Sequence, residues 1–312
     1  MILITGANGF LGSWIASLLD SKRMAWHGLC NSDSDLSRLV YLPENKISCL
    51  HNVTWVDFIK RLQPNVIISC DWEGVINDSR NNEKIQYANV KRVSGMAHAA
   101  ITSGVQKFIA FGSQAENGPI NQVALEMNYD SPTTHYGIAK VQVRKALSAL
   151  FENSNTQFIW GRIFSTYGQT DNIQWLIPSM VKSFLDKRDF KLTSGQQEWS
   201  YLHAYDLANA VLKICTSSTY RGLVNIGSPE TNSIISVAKK IASYMDCLKL
   251  LQVGSEPIRT DQVLFLKPDV SSLMSSGWTT TVTLDTGLES FVNWATGKEN
   301  SFRGIKLTNF AQ

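Results

Sequence analysis

A tyrosine and a lysine four residues apart, Tyr136 and Lys140, define the chemistry available to this chain, with a serine at Ser113 upstream. On a helix that spacing puts both side chains on one face, with Cβ atoms about 5–6 Å apart. An ammonium beside a phenol favours the phenolate. A tyrosine with an ordinary pKa near ~10 needs a shift of about 3 units, on the order of 4 kcal/mol, to exchange protons around neutrality. One ammonium does not supply all of this. The Ser113 hydroxyl can hydrogen-bond a substrate oxygen and orient it. Together the three suit proton transfer to or from an oxygen on a carbinol carbon, and hydride movement at that carbon if a dinucleotide is bound beside them. The pair alone is a weak signal, because Tyr87 and Lys91 repeat the spacing. Position separates the copies. Ser113 follows the strand-like run Phe108–Phe111, and Tyr136 opens the next helix. Tyr87 lies within a helix that would cover the sheet, and reads as surface or packing.

A dinucleotide needs a cradle, and the chain offers one at once. Met1-Ile2-Leu3-Ile4-Thr5 reads as a short buried strand, and Leu11, Trp14, Ile15, Leu18 and Leu19 recur at helical spacing. Between them stands Gly6-Ala7-Asn8-Gly9-Phe10-Leu11-Gly12. Glycines at a strand-to-helix turn allow the tight turn (Gly6), the approach of a pyrophosphate (Gly9) and close helix packing (Gly12), with the helix N-terminus facing the anion. Asn8, Phe10 and Leu11 are cofactor-binding candidates with the glycines. An acid at the end of the second strand would hold a ribose 2′-hydroxyl. Here Cys30-Asn31-Ser32 stands there instead, followed by Asp33, Ser34 and Arg38. Asn31 and Ser32 with a nearby Arg38 suit a 2′-phosphate, so NADP is the preferred cofactor, with NAD kept open by Asp33.

The elements that must position these groups alternate. Apolar runs at Ile2–Ile4, Trp26–Cys30, Val66–Cys70, Phe108–Phe111 and Phe158–Ile163 are separated by helix-period stretches such as Val56–Leu62 and Asn89–Ile101. Such alternation means βαβ units and a parallel sheet with helices on both faces. Ser131-Pro132-Thr133-Thr134 is a start signal for a helix from about Tyr136 to Phe151. Beyond Gly168 the pattern loosens into short helices and loops, and Leu223–Ile226 returns as an edge strand. With 312 residues, 44% hydrophobic and 18% charged, the chain can bury a large core or two unequal ones. A net charge of +3 without basic runs gives no reason to expect nucleic acid. The five cysteines are scattered, and His27, His51 and His98 are isolated, so neither a disulfide framework nor a metal site is expected. The absence of a long apolar stretch and the early first strand point to a cytoplasmic protein without membrane contact. Trp14 and Trp160 sit at core-like positions.

On these residues the chain resembles the extended short-chain dehydrogenase/reductases of the nucleotide-sugar epimerase/dehydratase group, strongly to about residue 170 and more diffusely after it. Gly6-x-x-Gly9-x-x-Gly12 is similar to that group's phosphate-binding glycines, Phe111-Gly112-Ser113-Gln114-Ala115-Glu116-Asn117-Gly118 to its serine motif and Tyr136-Gly137-x-x-Lys140 to its catalytic pair. The resemblance implies an α/β fold, a Rossmann-like doubly wound parallel sheet with a smaller, mixed C-terminal substrate lobe. Residues 1–168 plus about 201–226 would bind NAD(P), and 169–200 with 227–312 the nucleotide sugar. It implies Ser113, Tyr136 and Lys140 as catalytic. Asn89, Cys70 and Ile163 join the cofactor contacts. Trp72, Gln114, Ser165, Trp199 and Arg259 become substrate positions, and the assembly a homodimer.

Departures from the group narrow the implied activity. Its 4,6-dehydratases carry Asp-Glu after the catalytic threonine, where this chain has Gln114-Ala115, so elimination lacks its proton shuttle. Enzymes that epimerise at C3 and C5 place a cysteine at the position of Ala115. Ser165 replaces a frequent asparagine, and Trp199 a pyrophosphate-binding arginine, which leaves Arg259 to carry that contact. The expectation is NADPH-dependent reduction of a nucleotide-linked 4-keto-(di)deoxy sugar for surface polysaccharide. The alternatives are a 4-epimerase with retained NAD and a non-catalytic cofactor-binding regulator.

Overall fold

A computed structural model describes residues 1–31, 34–50, 54–127, 130–258, 262–298, 301–302 and 305–306. The chain divides into two units, the first comprising Met1–Gly118, Glu126–Ile163 and Ala208–Ile226 and the second Pro119–Leu125, Phe164–Leu207 and Gly227–Gln312.

The first unit is a seven-stranded parallel sheet. Its strands are β1 (Ile2–Thr5), β2 (Trp26–Asn31), β3 (Ile47–Leu50), β4 (Val66–Ser69), β5 (Lys107–Ser113), β6 (Gln157–Ile163) and β7 (Gly222–Ile226). They lie in the order β7-β6-β5-β4-β1-β2-β3. All pairings are parallel, with Ile4 opposite Gly28 and Ile68, and Ser113 opposite Ile163. The order reverses at β1 and β4, and in such sheets ligands bind at the carboxyl ends of the strands beside that reversal. Helices α1 (Phe10–Ser21), α2 (Trp55–Leu62), α3 (Asn77–Arg80), α4 (Glu83–Thr102) and α5 (His135–Glu152) connect the strands. The expected edge strand is β7, outermost beside β6.

Local chemistry fixes the helix starts. Thr54 caps α2 by accepting from Asp57 N, Asn82 caps α4 from Lys84 N and Ile85 N, and Thr134 caps α5 from Gly137 N. The Thr134 cap sets where α5 begins, and so which face carries Tyr136 and Lys140. One face of the sheet buries Leu3, Ile67, Phe108, Phe158 and Trp160 against Met96, Val143, Leu147 and Phe151 of α4 and α5. Phe108, Phe151 and Phe158 stack in series, with centroids 5.4 and 5.0 Å apart. Trp14 and Trp160 are fully buried, as their positions led us to expect.

The second unit is mixed. A four-stranded sheet runs Asn232–Ser233, Glu198–Trp199, Phe265–Pro268 and Val123–Ala124, and helices include Leu176–Leu185, Ile234–Tyr244 and Leu284–Ala295. Ala124, Phe164 and Leu266 form a small core with Ile120 and Trp199 packed on it. Among the described residues no helix is long and apolar enough to cross a membrane, and no cluster of three or more potential metal ligands occurs.

Candidate active site

Gly6 takes φ +63°, in the left-handed region, and a Cβ there would meet the Asp71 backbone at 2.8 Å. A Cβ on Gly12 would sit 2.2 Å from the Gly6 carbonyl oxygen. The turn therefore closes only with glycine at both positions, and α1 starts behind Gly9, which contributes no side-chain cap. A backbone cradle that excludes side chains, opening onto the N-terminus of a twelve-residue helix, fits a dinucleotide pyrophosphate. Phe10 and Leu11 open that helix. Asn8 donates to the Asp35 carbonyl at 3.2 Å, and Arg38 Nη1 donates to the Asn8 carbonyl at 3.4 Å, which sets the guanidinium beside the turn. Asn31 ends β2; Ser32, Asp33 and Arg259 lie outside the described residues.

Ser113 ends β5, and its Oγ accepts from Ala115 N at 3.2 Å while Glu116 Oε1 accepts from Ser113 N at 2.8 Å. This reciprocal pair is a capping box that closes one turn over Gln114–Glu116. The Ser113 hydroxyl lies close enough to the Tyr136 phenol to favour its ionised form. Lys140 donates to the Phe111 carbonyl at 2.7 Å, and its Nζ lies 3.5 Å from the centre of the Trp72 ring. Trp72 stands edge-on to Tyr136, centroids 6.2 Å apart at 89°. The structure thus brings Ser113, Tyr136, Lys140 and Trp72 together at the ends of β4 and β5. Tyr87 is exposed, with Lys91 Nζ 4.7 Å from its ring, a surface pair.

The electrostatics of this cluster arise from burial. Desolvation pushes the Tyr136 phenol above its ordinary value; the Ser113 hydroxyl and the Arg80 guanidinium pull it down, and the Glu116 charge pushes it up. Desolvation draws Lys140 down to about 7, opposed by the Glu116 and Asp71 carboxylates. Desolvation also raises the Cys70 thiol, so the half-buried Cys70 is neutral, and its backbone N–H donates to the Thr5 carbonyl at 3.1 Å.

The remaining expected residues have other partners. Asn89 is fully buried; its amide donates to the Glu73 carbonyl at 2.8 Å and accepts from Glu73 N at 3.0 Å, which pins the segment after β4. Ile163 faces Ser113 across the sheet register, and Gln114 opens the one-turn helix. Ser165 and Trp199 belong to the second unit. The Ser165 carbonyl accepts from Leu202 N at 2.9 Å, and Trp199 Nε1 donates to the Val263 carbonyl at 2.9 Å.

Three further residues belong to the site although the sequence reading assigned none of them a role. Glu116 is fully buried and accepts from Ser113 N, Trp160 Nε1 (3.0 Å), Arg144 Nε (3.0 Å) and Arg162 Nη2 (3.4 Å). Its signal was present, since Ser113-x-x-Glu116 has the spacing of a capping box. Gln86, also buried, accepts from Trp72 Nε1 at 2.9 Å and donates to the Gly74 carbonyl at 2.7 Å and the Ser79 carbonyl at 3.1 Å. Arg80 lies 4.4 Å from the centre of the Tyr136 ring. No pattern in the sequence marks Gln86 or Arg80.

Comparison with known proteins matches residues 2–227 to the NAD dependent epimerase/dehydratase family. GDP-L-fucose synthase 1 of Arabidopsis thaliana is 28% identical over 236 residues, which is 66% of this chain and 68% of that protein. The dTDP-D-glucose 4,6-dehydratase of Mus musculus is 23% identical over 217 residues; the match covers 67% of this chain but only 61% of that enzyme's length. The solved UDP-glucose 4-epimerase of Thermotoga maritima with UDP-glucose superposes with a TM-score of 0.83 at 18% identity, over 95% of this chain and 99% of the other. That likeness establishes the fold.

Proposed function

Because this chain belongs to the NAD dependent epimerase/dehydratase family, we propose that it reduces the 4-keto group of a nucleotide-linked 6-deoxy or dideoxy sugar, with NADPH as the preferred cofactor. The observation that carries this reading is the convergence of Ser113, Tyr136 and Lys140 at the strand ends beside the glycine turn. When bound, the nicotinamide supplies the hydride that reduces the carbonyl carbon. Tyr136, kept protonated by its buried surroundings, gives a proton to the carbonyl oxygen, and the Ser113 hydroxyl holds that oxygen in line. Lys140 supplies positive charge on the same helix face. Arg38, held beside Asn8, would meet a 2′-phosphate, and the glycine turn would hold the pyrophosphate.

The residues after Ser113 disfavour elimination. Gln114 and Ala115 have no ionisable proton, and Glu116, the acid of that segment, is fully buried among four donors and does not reach a substrate. The same reading makes the enzyme a cytoplasmic homodimer, with Trp72 as a contact for a nucleotide sugar destined for surface polysaccharide. The test is a panel of CDP-, dTDP-, GDP- and UDP-linked 4-keto-6-deoxy sugars with NADPH and NADH. Stoichiometric cofactor oxidation with formation of the 4-hydroxy sugar supports reduction. Isomerisation of a nucleotide sugar without added reductant replaces this reading with 4-epimerisation. Cofactor binding without turnover of any member replaces it with a regulatory role.

A further inference from the structure

We propose that Arg80 is a positioning residue for Tyr136, its guanidinium lying against the face of the phenol so that the ring can take on negative charge. The inference rests on the proposed role of Tyr136 and deepens it. A Tyr-Lys pair alone leaves the phenol short of stabilisation, and the structure makes the shortfall plain. The Lys140 ammonium is held by the Phe111 carbonyl and the Trp72 face, 5.6 Å from the centre of the Tyr136 ring. The Arg80 guanidinium is closer, at 4.4 Å. A cation over an aromatic face is attracted by the ring quadrupole when the phenol is neutral, and more strongly once charge delocalises into the ring.

The arrangement around Arg80 is built to hold it there. Arg80 ends α3, and its Nη1 donates to the Val75 carbonyl at 2.9 Å. The next residue, Asn81, accepts from His135 N at 3.2 Å, which ties the end of α3 to the first residue of α5, one position before Tyr136. Gln86 fixes the approach: its amide nitrogen donates to the carbonyls of Gly74 and Ser79, and its amide oxygen accepts from the Trp72 indole. Gly74, at φ +68°, makes the turn that lets the segment fold back. Arg80 and Trp72 therefore flank the same ring on a segment pinned at both ends. The other charged groups near Tyr136 are Lys140 from its own helix and Glu116 from the turn after β5. Asp71, from the segment after β4, is paired with Arg92 of α4 at 3.0 Å, and His135 is exposed. Of these cations, Arg80 is nearest the ring.

The test reads the ring itself. A fluorinated tyrosine placed at position 136 by codon suppression brings its titration toward neutral pH and gives one 19F resonance, followed against pH without substrate. Arg80→Gln keeps an amide donor for the Val75 carbonyl but removes the charge; Arg80→Lys keeps the charge. The expected result is an upward move of the titration midpoint by about one pH unit in Arg80→Gln, with Arg80→Lys close to wild type. A midpoint in Arg80→Gln equal to wild type overturns the proposal, as does an equal upward move in both variants, which would mark Arg80 as a structural prop. Since the signal needs no turnover, failure here rejects the role of Arg80 and leaves that of Tyr136 to be decided by the sugar panel.

Discussion

Neutralising Glu116 should destabilise the parallel-sheet unit more than any other single conservative change near the site. Glu116 and Arg162 are both fully buried, and Glu116 is the carboxylate within ion-pair distance of Arg162 among the described residues, 3.4 Å from its Nη2. Among those residues Arg162 Nε and Nη1 find no hydrogen-bond partner. Glu116→Gln conserves shape but leaves the Arg162 charge uncompensated. At an effective dielectric near 20, attraction across that distance is on the order of 5 kcal/mol. Orphaning one member of a buried pair costs about 3–5 kcal/mol in practice. Arg144 contributes little to the loss, because it retains Asp130. The expectation is therefore a fall of about 3–5 kcal/mol in unfolding free energy, read as a urea midpoint lower by ~1–2 M for a slope near ~3 kcal/mol/M. Adding Arg162→Met to Glu116→Gln removes the orphaned charge and should recover most of the loss, a coupling visible in a double-mutant cycle. A loss below about 1 kcal/mol in Glu116→Gln, or no recovery in the double variant, refutes the reasoning.

Other outcomes rest on the same geometry. Gly12→Ala places a methyl 2.2 Å from the Gly6 carbonyl oxygen, so the turn must open. Loss of NADPH binding by calorimetry is expected, with about 1–3 kcal/mol of stability; wild-type affinity would contradict it. Reduction requires Tyr136 as phenol and Lys140 as ammonium, and burial draws Lys140 down to about 7. kcat/KM for reduction should therefore be greatest below about pH 7 and fall as the pH rises through that value, and a rate that climbs steadily from acid to mildly alkaline pH would oppose the assignment. Gln86→Leu orphans the Gly74 carbonyl and the Trp72 indole and takes one of two donors from the Ser79 carbonyl, which keeps Asn82 N. It should cost about 1–3 kcal/mol in thermal unfolding and lower kcat by loosening Trp72 and Arg80; unchanged stability and kcat would count against it.

Local patterning governs the features that were legible in the sequence. Strands β1, β4 and β5 carry continuous apolar runs, and β2 and β6 runs broken only by His27 and Arg162, because a parallel strand is buried on both faces. The glycine turn is legible because its backbone admits no side chain at Gly6 or Gly12. β3 (Ile47–Leu50) escaped notice, as a four-residue run flanked by short turns gives no period to detect. Arg80 escaped for a different reason. It comes to Tyr136 through the fold-back of residues 70–80, held by Gln86 from another helix, and no spacing along the chain encodes that approach. Glu116 lies between these cases: its capping-box spacing was readable, but its burial against Arg162 depended on the pairing of β5 with β6.

The central claim is tested most directly by Tyr136→Phe, which removes one oxygen and leaves the ring between Trp72 and Arg80. On the keto-sugar that the wild-type protein turns over, kcat should fall by about 10²–10⁴-fold, while the dissociation constant for NADPH stays close to that of wild type. Turnover near the wild-type rate in that variant would contradict the account.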